Sequence, residues 1–123
     1  SLSVSYAKAY SFEAGREEMT RLLRMGAAEA YFCGDDVLSI GALSAIEDAG
    51  LSVPQDVGIL GLNNMKMAGW ELVNLTTIHN PIDGIIKASV DLIEAMLKGE
   101  DGPARSTTFA CHVVERGTLR PAP

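Results

Sequence analysis

The chain has 123 residues, of which 47% are hydrophobic and 21% are charged. This length predicts one domain, and this composition is sufficient for a buried core. The formal net charge of -6 argues against a nucleic-acid-binding surface on this segment, because phosphate contacts need clustered Lys and Arg. No apolar run approaches the roughly 18 residues of a membrane-spanning helix, so no membrane partner is predicted.

Hydrophobic periodicity divides the chain into alternating strands and helices. Short apolar runs predict strands over 2–9, 27–33, 57–62, 75–78 and 107–114. Apolar residues at helical spacing predict helices over 13–25, 36–49, 65–70 and 81–98. This alternation indicates an α/β fold, with a mainly parallel sheet and helices on both faces.

Two polar pairs directly follow neighbouring predicted strands. Asp35 and Asp36 follow the strand over 27–33, and Asn63 and Asn64 follow the next one. A strand–helix–strand unit makes parallel strands, which lie about 4.8 Å apart when adjacent. Ligands of such sheets bind just outside the carboxyl ends of the strands. We therefore expect Asp35 and Asn63 to lie side by side and to bind neighbouring hydroxyls of one small polar ligand.

Each polar pair also has a structural interpretation. Asp35 or Asp36 can cap the helix that follows, where the helix dipole favours a negative charge. Asn63 and Asn64 can occupy a turn, since asparagine tolerates a left-handed backbone. One aspartate can cap while the other points outward, so the two roles are compatible.

Tyr10 and Trp70 are the aromatic residues near the proposed pocket. Such rings stack on the C–H face of a sugar or on a planar base, and core packing is the alternative. Cys33 and Cys111 each fall in a predicted strand, and we expect two buried, reduced thiols rather than a disulfide or metal pair. No nucleophile motif, metal-ligand spacing or phosphate-binding glycine loop occurs, so no catalytic residue, metal or cofactor is predicted and an enzyme is not expected.

Four segments together resemble the lactose-repressor/galactose-repressor (LacI/GalR) family of bacterial transcription regulators. Gly34–Leu43 is similar to the family pattern A-N-D-x-x-A-x-G-A-L, and Gly50–Asn64 is similar to G-L-x-V-P-x-D-V-x-V-x-G-F-D-D. Leu75–Pro81 resembles L-T-T-[IV]-x-Q-P, and Val113–Thr118 resembles L-V-x-R-x-S/T with one additional residue. The four segments occur in the family's order.

The resemblance implies a type I periplasmic-binding-protein-like effector domain, in which the effector lies between two α/β subdomains. The chain would be a fragment, and it has no initiating Met. Residues 1–73 and 107–118 would form the carboxyl-side subdomain. The segment 76–99 would cross over and pack on an amino-side subdomain that the chain lacks. Its helix would then expose an apolar stripe that promotes self-association.

By position, Asp35 and Asn63 match ligand contacts of the family, and Tyr10 lies where the family places an aromatic ring over the ligand. The family often has Asn at the first position and usually Asp at the second, so acid and amide are nearly exchanged here. Trp70 completes the candidate set. The resemblance implies a cytoplasmic repressor that senses a sugar or related small polar metabolite, forms a homodimer and binds DNA through an amino-terminal helix-turn-helix.

Two other functions fit parts of the same pattern. A solute-binding protein of a sugar transporter has the same fold and would carry a signal peptide. A phospho-acceptor receiver domain has a similar length and alternation, but it needs a Lys near the last strand, often before Pro. The residue before Pro81 is Asn80.

Overall fold

The computed structural model describes residues 1–100, 102–103 and 106–123. The described elements, in chain order, are α1 (Phe12–Arg24), β1 (Ala30–Phe32), α2 (Asp36–Asp48), β2 (Gly58–Asn63), a 3-10 helix (Lys66–Gly69), β3 (Thr77–His79), α3 (Ile82–Leu97) and β4 (His112–Val114). Among these helices, none combines the length and the apolar character that crossing a membrane would require.

The strands form one mixed sheet in the order β1-β2-β3-β4. The first half of β2 pairs in parallel with β1, and its second half, Gly61–Asn63, pairs in parallel with β3. β4 runs antiparallel to β3. The predicted α/β class with a mainly parallel sheet is therefore confirmed, and the carboxyl ends of β1, β2 and β3 lie at one edge.

Helices α1 and α2 pack closely because glycine occupies both sides of their contact. A Cβ atom on Gly15 would lie 2.5 Å from the carbonyl oxygen of Leu38, and one on Gly41 would overlap the carbonyl oxygen of Phe12. The contact joins the first turns of the two helices. Tyr10 and Asp35 each lie shortly before this contact in the sequence.

The core lies between this helix pair and one face of the sheet. Its buried residues are Met19 of α1, Ala42, Ala45 and Ile46 of α2, Val57, Ile59, Ala68 and Leu75. Leu22 and Leu23 pack against them, as the periodicity of α1 predicts. On the opposite face of β2, Gly58 lies beneath the side chain of Leu119.

The weak strand predicted over 2–9 is wrong. Leu2, Val4 and Tyr6 are all largely exposed, and the segment pairs with no strand in the described residues. Alternation of apolar and polar residues favours a strand only where a neighbouring strand supplies hydrogen bonds and a buried face. Neither is present at this segment.

Two other strands are shorter than predicted. The run over 27–33 pairs only at β1, where Ala30 and Phe32 are exposed. The continuous apolar run predicts a strand covered on both faces, and for this strand alone that prediction is wrong. β1 is an outer strand of the sheet and has β2 on one side only. The run over 107–114 pairs only at β4, which is likewise an outer strand.

The two cysteines differ in environment. Cys33 is half-buried, and its burial raises the pKa of the thiol. Cys111 is exposed, so the expectation of two buried thiols is wrong for this residue. Its exposure follows from its position directly before β4, at the rim of the sheet. Both cysteines are free.

Helix α3 has no buried residue. Its large apolar side chains are exposed and comprise Ile82, Ile86, Val90, Leu92, Ile93, Met96 and Leu97. A contiguous apolar surface of this kind on a folded domain is typical of an interface.

Gly15→Ala is expected to lower the free energy of unfolding by about 1–3 kcal/mol, because the added methyl group would press on the backbone of Leu38. Chemical denaturation followed by circular dichroism measures this loss. Gly34→Ala is the matched control, since a Cβ atom there would meet nothing within 4 Å. Equal losses in the two variants would contradict the close helix contact.

Candidate functional site

Three polar side chains form a row at the carboxyl edge of the sheet. The amide nitrogen Nδ2 of Asn63 donates to Oδ2 of Asp35 at 3.0 Å. The amide nitrogen of Asn80 in turn lies 3.4 Å from Oδ1 of Asn63. Asp35 follows β1, Asn63 ends β2 and Asn80 follows β3, so each parallel strand contributes one member. The prediction that Asp35 and Asn63 lie side by side is confirmed.

Asp35 also caps helix α2. Its backbone is extended, with φ -164° and ψ 152°, and its Oδ1 accepts a hydrogen bond from the backbone N–H of Val37 at 2.7 Å. A carboxylate placed here is stabilised by the positive end of the helix dipole. Each carboxylate oxygen has two lone pairs, so Asp35 can accept further hydrogen bonds from a ligand.

Asp36 is turned into the protein. Its carboxylate is fully buried and accepts from the backbone N–H of Met65 at 2.6 Å and from Oγ1 of Thr77 at 2.6 Å. A Cβ atom on Gly61 would overlap Oδ1 of Asp36, so glycine leaves the space that this carboxylate fills. Asp35 therefore both caps α2 and faces outward. Asp36 instead links α2 to β3 and to the turn after β2.

Asn63 and Asn64 have the left-handed backbone predicted for a turn, with φ of 99° and 55°. Their side chains point to different partners. Asn63 contacts Asp35 in the row described above, whereas Nδ2 of Asn64 lies 3.1 Å from Nδ1 of His79. Oδ1 of Asn64 accepts from Nη2 of Arg116 at 2.9 Å. The turn therefore connects two separate hydrogen-bond networks.

Tyr10 and Trp70 are surface residues, with 80% and 59% of their area exposed. This exposure excludes the core-packing alternative for both rings. Tyr10 directly precedes Ser11, the residue that caps α1. Trp70 follows the 3-10 helix. Among the described residues, no hydrogen bond joins either ring to Asp35 or Asn63.

Asn80 and Arg116 were not among the site residues predicted from the sequence. Asn80 follows a parallel strand just as Asp35 and Asn63 do, so the rule that found those two residues also applies to it. Arg116 lies in the segment Val113–Thr118 that resembles a family pattern, but this pattern indicates no partner for the arginine. Its guanidinium donates to the carbonyl oxygen of Leu75 at 2.8 Å as well as to Asn64, and both partners are distant in sequence.

Concave regions of about 350, 430 and 620 Å³ lie on the described part of the molecule, and neither Asp35 nor Asn63 lines any of these three. Within residues 1–100, 102–103 and 106–123, no group of three His, Cys, Asp or Glu side chains is placed to hold a metal ion.

The chain matches a known domain family. Residues 3–119 match the model of the periplasmic binding protein-like domain. The chain belongs to this family. A curated relative, the HTH-type transcriptional repressor PurR of Salmonella paratyphi B, is 31% identical over 112 residues, which cover 90% of this chain and 33% of the repressor. The chain therefore spans about one third of the length of the curated relatives that it matches.

Solved structures give the same assignment. A LacI-family transcriptional regulatory protein from Corynebacterium glutamicum superposes with a TM-score of 0.86 at 35% identity, over 98% of this chain and 47% of that one. A LacI family transcriptional regulator from Enterococcus faecium, solved with bound ribose, gives a TM-score of 0.82 at 26% identity, over 93% of this chain and 42% of that one. The predicted resemblance to a LacI/GalR effector domain is confirmed.

Asp36→Ala is expected to lower the free energy of unfolding by about 2–4 kcal/mol, because it leaves the buried N–H of Met65 and hydroxyl of Thr77 without an acceptor. Asp36→Asn keeps one amide oxygen as an acceptor and should cost less. Thermal and chemical denaturation measure both changes. A loss for Asp36→Ala no larger than that for the exposed Asp56→Ala would contradict this role.

Proposed function

We propose that this chain is the effector-sensing part of a LacI-type transcriptional repressor, and that Asp35 and Asn63 bind a sugar or a related small polar metabolite. The hydrogen bond of 3.0 Å between these side chains carries the proposal, because it sets a carboxylate and an amide side by side where parallel sheets bind ligands. No residue is assigned a catalytic role.

The row of side chains has the hydrogen-bonding capacity that a polyol needs. The Asp35 carboxylate only accepts, whereas the amide of Asn63 offers both a donor and an acceptor. Each still has free capacity after its contacts within the protein, so neighbouring ligand hydroxyls can be bound by the two residues together. The exposed rings of Tyr10 and Trp70 supply faces that stack on the C–H side of a sugar. The ribose bound to the Enterococcus faecium regulator supports this ligand class.

The full-length protein would complete the site with a second subdomain. Residues 1–73 and 107–118 belong to the carboxyl-side subdomain. Of the segment 76–99, β3 stays with them because it pairs with β2 and β4 in the same sheet, and the part from Pro81 onward crosses over to pack on the amino-side subdomain. The exposed apolar stripe of α3 supports this division. The row at the carboxyl edge then forms one side of a cleft between the subdomains.

In this proposal the ligand acts by favouring one closure of the cleft. The cleft has two conformations, and the ligand binds each with its own affinity. The ligand can change the affinity for DNA only by the ratio of these two affinities, because binding and conformation are thermodynamically linked. The repressor is a cytoplasmic homodimer, and DNA contacts come from an amino-terminal helix-turn-helix outside this chain. The relationship to the repressor PurR supports this arrangement.

Asp35→Ser and Asn63→Ala are each expected to weaken ligand binding by the full-length protein at least about tenfold, which corresponds to the loss of about one hydrogen bond. Serine retains an oxygen that caps α2, so Asp35→Ser separates ligand binding from helix stability. Titration calorimetry with a panel of sugars that includes ribose measures the affinities.

Asp56→Ala is the matched control for this titration. Asp56 precedes β2 at the opposite edge of the sheet, where its carboxylate accepts from the backbone N–H of Ser52 at 2.7 Å. Its removal is expected to leave the affinity unchanged. Unaltered affinity in both Asp35→Ser and Asn63→Ala would contradict the proposed site.

Ile86→Ala is expected to lower the free energy of unfolding of the full-length protein by about 2–5 kcal/mol, the usual cost of deleting a buried isoleucine side chain. The reason is that α3 would be covered by the second subdomain. Lys87→Ala, one residue further along the same helix, should change stability by no more than about 0.5 kcal/mol. Chemical denaturation distinguishes the two. Equally small effects would show that α3 stays exposed.

A further inference from the structure

We propose that Arg116, acting through Asn64, fixes His79 in the tautomer that carries its proton on Nε2. The end of β3 then offers a hydrogen-bond donor beside Asn63. Arg116 is a positioning residue in this arrangement, and His79 is the group whose hydrogen-bonding character it sets.

The direction of the hydrogen bonds follows from the guanidinium, which can only donate. Nη2 of Arg116 lies 2.9 Å from the amide of Asn64, so the atom that faces it must be the oxygen Oδ1. The amide nitrogen Nδ2 is then the atom that faces Nδ1 of His79, at 3.1 Å. Rotating the amide by 180° would place two donors against each other, and this contact is unfavourable.

Arg116 is itself held in place by two further bonds. Nη1 of Arg116 donates to the carbonyl oxygen of Leu75 at 2.8 Å, and the backbone N–H of Arg116 donates to Oγ1 of Thr76 at 2.9 Å. A guanidinium anchored in this way cannot turn to follow a reoriented amide. The orientation of Asn64 is therefore determined by the arginine.

The tautomer of His79 follows from this orientation. Nδ1 accepts from Asn64, so it carries a lone pair, and the proton of the neutral ring is on Nε2. Among the hydrogen bonds of the described residues, Nε2 of His79 has no protein partner. No buried side-chain nitrogen or oxygen in that same part of the chain lacks a partner, so Nε2 is open to solvent. It is available to donate.

The position of His79 puts this donor at the carboxyl edge. His79 pairs in register with Asn63 across the parallel strands, so both side chains leave the same face of the sheet. On the other side, the ring of His112 lies with its centroid 4.9 Å from that of His79, at an interplanar angle of 37°. The His79 ring is therefore held between Asn64 and a second ring.

The carboxyl edge thus contains groups that differ in whether they donate or accept hydrogen bonds. Asp35 only accepts, Asn63 does both, and His79 only donates. A ligand atom that can only accept, such as a sugar ring oxygen or a carboxylate oxygen, therefore matches His79 and is poorly placed against Asp35. This consequence rests on the proposed function, whereas the tautomer itself does not.

The tautomer can be measured directly by nitrogen-15 NMR of the histidine rings in the full-length protein without ligand, at about pH 9, where ordinary imidazoles are neutral. Loss of a signal in His79→Gln assigns the ring. The expected spectrum has the proton on Nε2. In Asn64→Asp, the carboxylate accepts from both Arg116 and the ring, so a proton is expected on Nδ1. Arg116→Lys retains a group that only donates and should keep the original pattern.

A wild-type spectrum with the proton on Nδ1, or an equal mixture of tautomers, would overturn the proposal, as would an unchanged spectrum in Asn64→Asp. Arg116→Met removes the donor to Asn64, so the amide can turn and a mixture of the two tautomers is expected. A merely structural Arg116 would alter stability in this variant without moving the ring proton. If Asn64→Asp fails to fold, the wild-type and Arg116→Met spectra still decide. No sugar is used, so failure here is distinct from failure to bind ribose in calorimetry.

Discussion

The buried carboxylate of Asp36 connects the parts of the chain that form the carboxyl edge. It accepts from Met65, which follows the turn at Asn63, and from Thr77 on β3. It also directly follows Asp35 in the chain. One buried anion with two short hydrogen bonds thus sets the relative positions of the start of α2, the end of β2 and the end of β3. The row of Asp35, Asn63 and Asn80 is a consequence of this placement, since each member lies within three residues of a group that Asp36 fixes.

Small residues make this arrangement possible. Gly61 leaves room for the Asp36 carboxylate in the centre of the sheet, and Gly15 and Gly41 let α1 approach α2 at backbone distance. The second of these contacts determines where Tyr10 lies, because the first turn of α1 is held against the first turns of α2. Residues with no functional group of their own therefore decide which side chains meet at the edge, and the proposed ligand contacts depend on positions where only glycine fits.

The sequence was sufficient for the features that depend on local pattern. Polar residues directly after apolar runs identified Asp35 and Asn63, because parallel strands that are neighbours in sequence bring their ends together. The sequence was insufficient where the role of a residue depends on a contact that is distant in the chain. The role of Arg116 depends on its hydrogen bonds to Leu75 and Asn64, and no spacing of residues near Arg116 predicts either bond. Residues 2–9 alternate like a strand but pair with none, and which of Asp35 and Asp36 turns inward depends on Met65 and Thr77.

The position of β1 at the border of the sheet has a practical consequence for handling the polypeptide. Its outer side offers backbone N–H and C=O groups that no described strand satisfies, and Phe32 on this strand is 61% exposed. Such a border is a template for intermolecular strand addition. Purified material of this length should therefore be kept dilute and monitored by light scattering, because aggregation through β1 would compete with any measurement of binding.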